Sequence, residues 1–342
     1  MDILRVIAII MVLFNHRYTY WGPEQNIAPG SLKIFLALGL SCICKCGPPL
    51  FFMVSGTLLL GREESFGRVL RHRVLRIIIV MLICSVYLSR YSLNARTILQ
   101  NFLSEENWYF YSYIGYLLML PFLRKIALHA SEKDMYLYLI LVTAFYTFSG
   151  IFTVFSIKQA FTGTVEMLYT SGWASSCWAV IFSISGFFLN SLAKKNADSI
   201  TKDPLMWLLF LGSVVMVILN ILLVVNSAAA GNGDFAEQLR QRAIYLPSCA
   251  LYYFFSRKDY QGCFSRQRLN RFVTELSSAS FGVFIIEVTL DTSGKLNDFL
   301  NRFMGEAIGL YWTACVSIVI EFVGYTAVIL ILKKISVVRK LL

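Results

Sequence analysis

The sequence predicts an all-α integral membrane protein, a bundle of about ten transmembrane helices with both termini cytoplasmic. Three observations carry this. Hydrophobic residues make up 57% of the 342 residues against 15% charged, with a mean hydropathy of +0.63, too apolar for a chain whose surface meets water. Apolar runs of about 17–25 residues recur along the whole length. Of the 31 Lys and Arg residues, 21 fall in alternate connections that share one side of the membrane, Arg5, the cluster from Arg62 to Arg76 and the terminal Lys333 to Lys340 among them, as the positive-inside rule requires.

Taken in order, the expected spans are Ile3–Tyr20, Ile34–Leu60, Val74–Tyr91, Trp108–Leu123, Met135–Ile157, Trp173–Ser191, Leu205–Val225, Ala243–Phe255, Ser277–Leu290 and Leu310–Leu332. The first resembles a signal sequence in having Arg5 before an apolar run, but no small-residue cleavage site follows, so it is expected to be retained. The second carries Pro48-Pro49 and is expected to kink or break there. Asn226–Asp234 reads as an external flexible loop, and Asp291–Gly309 as an external loop long enough for a short surface helix. Residues 1–342 read as one polytopic unit with no appended soluble domain and no internal repeat.

The net charge of +11 is accounted for by topology, because nothing gathers it into a soluble nucleic-acid-binding domain. Eight cysteines sit mostly in apolar runs, where they behave as small hydrophobes. The Cys42-x-Cys44-x-Cys46 spacing is not that of a zinc site, and no metal is expected.

The stretch Asp2–His16 holds the first chemical signal. At 100° per residue, eleven residues return His16 to within about 20° of Arg5, about 16 Å along the axis, with Asp2 beside Arg5. Arg5 alone fits a residue snorkelling to an interface, and His16 alone fits an interfacial histidine. Aligned on one face of an apolar helix, the two read as functional. The second signal is Arg68, Arg71, His72, Arg73 and Arg76. In an α-helix, positions 68, 72 and 76 stack on one face with 71 and 73 beside it, a grip for phosphate oxygens. Charge alone favours a stop-transfer cluster on anionic lipid. Trp173, Trp178, Glu166 and Glu321 fit an acceptor site, although interfacial aromatic belts account for the tryptophans more simply. His129 reads as a solvated loop residue.

Asp2-x-x-Arg5-x-x-Ala8 with His16, Pro49-Leu-Phe-Phe-Met-Val-Ser-Gly56, Arg71-His72-Arg73, Trp108-Tyr-Phe-Tyr-Ser-Tyr-Ile-Gly and Ser280-Phe-Gly-Val-Phe-Ile-Ile286 together resemble the membrane-bound acyltransferase family 3 proteins. The resemblance implies a ten-helix O-acyltransferase of the cell membrane, expected in a bacterial cytoplasmic membrane. It would move an acyl group, commonly acetyl, from cytosolic acyl-CoA to a hydroxyl of an envelope glycan or related acceptor. The resemblance assigns His16 to the acyl-transfer centre, Arg5 to its face toward the donor side, and Arg71 and Arg73 to the CoA phosphates; the residues themselves add Glu287 as a catalytic candidate and Arg76 and Arg68 as further phosphate ligands. It assigns Trp108, Tyr109, Ser55 and Asp2 to substrate binding. Alcohol attack on a thioester needs a base titrating near neutrality, which histidine supplies. Two positions depart from the family pattern: Glu287 and Asn107 stand where members often carry histidine. Glu287 would then orient His16, replace an acid/base group, or sit in a wet vestibule. The rival readings are an exporter of a glycan or small polar solute, and a catalytically lapsed relative acting as a sensor.

Overall fold

A computed structural model describes residues 1–19, 32–154, 176–195, 203–229, 244–257, 267–290, 298–300, 302–304 and 310–341, mostly helical and with no strand among them. The helices are α1 (Asp2–Thr19), α2 (Leu32–Cys44), α3 (Gly47–Leu59), α4 (Phe66–Val69), a π turn (Leu70–Val74), α5 (Leu75–Leu88), α6 (Ala95–Phe102) and α7 (Trp108–His129). They continue as α8 (Glu132–Val154), α9 (Ser176–Lys195), α10 (Pro204–Ala229), α11 (Tyr245–Arg257), α12 (Gln267–Leu290), α13 (Leu310–Leu332) and α14 (Ser336–Leu341). Four helical stretches among the described residues are long and apolar enough to cross a membrane: Leu38–Leu59, Pro204–Leu222, Leu269–Thr289 and Cys315–Leu332. The protein is an all-α membrane protein.

The expected spans are helical over most of their described parts, with several revisions. The long second span is two helices. Pro48 and Pro49 lack the N–H that would continue the ladder, and they occupy the first turn of α3, so α2 stops at Cys44 and Lys45–Cys46 forms a turn. α10 runs on through Asn226–Ala229, where a loop was expected, because Ala and Leu-rich sequence sustains the helix to that point. α12 begins at Gln267, ten residues before the expected start, its added turns mixing Leu269, Phe272, Val273 and Leu276 with polar residues and carrying an Arg271–Glu275 pair at i,i+4. His129 closes α7 rather than lying in a loop, its Nδ1 2.8 Å from the Lys125 carbonyl. Trp173, Glu166 and Cys263 lie outside the described residues.

α3 and α9 pack most closely. A Cβ on Gly56 would overlap the Ser183 carbonyl, and one on Gly186 would overlap the Met53 backbone, so only glycine permits this approach. Ser183 Oγ donates to Phe52 O at 3.1 Å across the same seam. Around it lies one core built from α3, α7, α9 and α11, with Phe52, Tyr116, Phe182, Tyr245 and Tyr252 fully enclosed. α1 packs on this core through α3 and carries α12 and α13 on its other side. α10 and α13 instead leave Leu208, Leu211, Val319 and Val323 exposed, the apolar outer surface expected against lipid.

One buried ion pair joins two helix ends. Arg257 of α11 meets Asp203 just before α10, and Tyr253 Oη donates to the same carboxylate at 2.6 Å. Such a pair ties the ends of two helices together where a lone charge would be prohibitive.

Candidate active site

Two residue pairs set the direction of the site. Asp2 and Arg5 meet Ser277, with Ser277 Oγ donating to Asp2 Oδ1 at 2.9 Å and Arg5 Nη1 3.5 Å from both Asp2 Oδ1 and Ser277 Oγ. Further along both helices, His16 Nδ1 lies 2.7 Å from Glu287 Oε2. α1 and α12 therefore run parallel, giving the site an Arg5 end and a His16 end. The Tyr109–Phe284 contact, centroids 5.0 Å apart, puts the start of α7 toward the His16 end. Arg124, near the close of α7, bonds the carbonyls of Leu59 and Glu64 beyond α3 at the Arg5 end.

Between these ends runs one cavity of about 1490 Å³. Its Arg5 end is lined by Arg5, Arg68, His72, Arg73 and Arg76. Its waist is aromatic, formed by Phe281, Phe284, Tyr109 and Tyr113, with Ser55 of α3 alongside. Its His16 end is lined by His16, Glu287, Asn15, Lys45, Trp108 and the exposed pair Glu105 and Glu106. The volume exceeds that of an ordinary small-ligand pocket, about 300–1,000 Å³, and leaves room for two substrates meeting inside.

The basic rim owes its composition to the π turn. The Leu75 N–H reaches the Leu70 carbonyl, an i→i+5 bond, which widens the turn by one residue. In a regular helix Arg71 would have flanked the 68–72–76 face together with Arg73. With the extra residue, Arg73 joins Arg68, His72 and Arg76 on the cavity, while Arg71 is exposed and does not line it. Arg73 Nε donates to Glu64 Oε2 at 3.2 Å, and Arg124 approaches the same carboxylate, so Glu64 fixes the Arg73 guanidinium. Arg76 Nε donates to the Leu341 carbonyl of α14 at 2.8 Å, and its guanidinium lies over the Phe281 ring, 5.9 Å from the centroid. Lys333, just beyond α13, donates to Ser278 O at 2.6 Å; burial first, and the charge of Arg76 second, push its ammonium below the usual lysine range.

At the other end the His16–Glu287 pair is asymmetric. The imidazole is 36% exposed and the carboxylate 4%. Nδ1–H donates to the buried carboxylate, which holds the ring in one orientation on the cavity wall. Of the three possibilities for Glu287, orientation of His16 is the one its geometry supports.

Asp2 is placed elsewhere than the sequence suggested. It does not line the cavity but anchors α1 to Ser277 and Thr274 of α12, and so orients Arg5. Trp108 and Tyr109 line the cavity, and Trp108 also packs against Trp178 at 5.9 Å. Trp178 is buried among Phe52, Phe182 and Trp108, and neither it nor Glu321 lines the cavity. Asn107 Nδ2 donates to the carbonyls of Asn101 and Phe102, closing the C-terminal end of α6. Cys42, Cys44 and Cys46 are buried at the α2–α3 join. No group of three or more His, Cys, Asp or Glu among the described residues is arranged to hold a metal.

Lys45 joins the cavity wall without being part of any motif above, although a cation in the middle of an apolar run is a recognisable signal. Glu105 and Glu106 carry no such signal, since an acidic pair in a short connection reads as solvated surface.

The family model described as an acyltransferase domain matches residues 1–332. No curated protein and no solved structure matches the chain. With nearly the whole chain covered and the family's motifs converging on one cavity, this protein belongs to acyltransferase family 3.

Proposed function

We propose that this acyltransferase takes an acyl group, acetyl being the expected one, from cytosolic acyl-CoA and passes it to a hydroxyl of an envelope glycan or related acceptor. The protein would lie in the cell membrane with ten spans and both termini in the cytoplasm, the Arg5 end of the cavity facing the cytosol. The observation that carries the reading is the continuity of one cavity from the arginine rim to the His16–Glu287 pair.

Arg68, Arg73 and Arg76 would clasp the phosphates of CoA, with forked donors suited to their oxygens. The pantetheine arm would pass the aromatic waist, bringing the thioester carbonyl toward His16. Nε2 of His16 takes the proton of the attacking hydroxyl, and the buried Glu287 carboxylate stabilises the imidazolium that forms. Trp108 and Tyr109 offer flat faces to a sugar ring, and Ser55 a hydroxyl beside the arm.

The test uses purified protein in nanodiscs with acetyl-CoA and an envelope glycan preparation. Acceptor-dependent release of free CoA thiol is expected, and His16→Ala should abolish it without loss of membrane insertion. An exporter would instead carry the glycan across proteoliposomes with no thioester consumed. Mass spectrometry of envelope glycans, with and without the gene, then reads the acyl mass.

A further inference from the structure

Ester formation from a thioester passes through a tetrahedral oxyanion, which needs a cation or a donor. Arg5 lies about 16 Å along α1 from His16 and serves poorly. Lys45 sits closer. It occupies the turn between α2 and α3, is only 2% exposed, and lines the same cavity as His16 and Glu287. Gly47, two residues on, lies against Ala8 and Val12 of α1, and Val12 is one helical turn, about 6 Å, below His16. Cys44, on the other flank, packs with Ile9, Val12, Leu13 and Phe14. The Lys45 turn is thus held between the levels of Arg5 and His16, where a carbonyl arriving from the arginine rim would stop.

Two further features point the same way. The turn interrupts Leu38–Leu59, a stretch long and apolar enough to cross a membrane, and broken backbone at that depth is tolerated where it lines a cavity. An ammonium inside a helical bundle is costly unless it faces a wet cavity and opposite charge. Lys45 lines that cavity together with the nearly buried Glu287 carboxylate.

We propose that Lys45 is a catalytic residue whose ammonium stabilises the oxyanion of acyl transfer; this rests on the acyl-CoA reading above. The acceptor hydroxyl gives its proton to His16 Nε2 as its oxygen bonds the thioester carbonyl carbon. The carbonyl π pair moves onto oxygen, and the resulting anion faces the Lys45 ammonium. Collapse restores the carbonyl and breaks the C–S bond, and the CoA thiolate leaves with the proton from His16. Two positive groups then face two negative ones: imidazolium against Glu287, and Lys45 against the oxyanion.

Lys45 also stands at the C-terminal end of α2, where a cation complements the helix dipole, so a purely structural role has to be separated. The experiment compares wild type, Lys45→Met, Lys45→Arg and His16→Ala in nanodiscs. It measures kcat and KM for acetyl-CoA by thiol release, along with CoA affinity and thermal midpoint. Lys45→Met is expected to lower kcat by about 10²–10³-fold with KM and CoA affinity within threefold. Lys45→Arg should retain at least a tenth of the wild-type kcat. A Lys45→Met loss under tenfold, or one falling in KM or in thermal midpoint rather than kcat, overturns the proposal. If Lys45→Met does not accumulate, Lys45→Arg decides: kcat within tenfold at unchanged KM supports the role, and a larger fall overturns it. Wild type that releases no thiol overturns the acyl-transfer reading as a whole. Active wild type with dead His16→Ala and intact Lys45→Met removes Lys45 alone.

Discussion

Glu287 of α12 accepts a hydrogen bond from His16 of α1 at 2.7 Å, joining residues 271 positions apart. The bond fixes the imidazole by a buried anion. A neutral amide at 287 keeps the shape and loses the charge. Glu287→Gln should therefore lower kcat on the order of 10²-fold, within the range general acid–base catalysis supplies, and leave CoA affinity unchanged. Steady-state kinetics with parallel equilibrium CoA binding checks this, and an unaltered kcat would remove Glu287 from the mechanism.

The π turn separates two arginines of one motif. Arg73 lines the cavity and is fixed by Glu64, whereas Arg71 is exposed. A charge-assisted hydrogen bond contributes about 1.5–3 kcal/mol, so Arg73→Ala should weaken CoA binding about 10–100-fold. Arg71→Ala should stay within threefold. Calorimetric titration of both variants with CoA distinguishes them, and equal losses would contradict the turn's role in sorting the two side chains.

The α3–α9 seam tolerates no side chain at Gly56 or Gly186. Overpacking there forces the helices apart at a cost of about 1–3 kcal/mol or more. Gly56→Ala and Gly186→Ala should each lower the thermal midpoint in detergent. Gly67→Ala, where a Cβ meets nothing within 4 Å, serves as the control and should change little.

Asn107 stands where the family often has histidine, yet its amide spans the two carbonyls that close α6 at 2.9 and 3.1 Å. Asn107→Ala should cost about 1–3 kcal/mol of stability and leave kcat within threefold. A hundredfold fall in kcat at unchanged stability would instead place Asn107 in the chemistry.

The fold class was legible because lipid imposes a simple rule: a chain this apolar has to satisfy its backbone within helices, and long apolar runs reveal them. Helix ends were less so. The stop at Cys44 follows from Pro48 and Pro49, but the early start of α12 at Gln267 lies in sequence where Arg268, Arg271 and Glu275 break up the apolar run. Within the site, the shared face of Arg5 and His16 follows from helix periodicity, and both line the cavity. The separation of Arg73 from Arg71 did not follow, since one extra residue in a turn leaves no mark in composition.

By itself, then, the sequence determined the apolar helices and the alignment of Arg5 with His16, because both depend on local periodicity and on the solvent around it. Only the tertiary structure decided that Glu287 meets His16, that Arg73 rather than Arg71 faces the cavity, and that Lys45 is enclosed beside them. Those are contacts between helices distant in the chain, fixed by packing at glycine seams and by buried charges finding partners, and neither pattern repeats along a sequence.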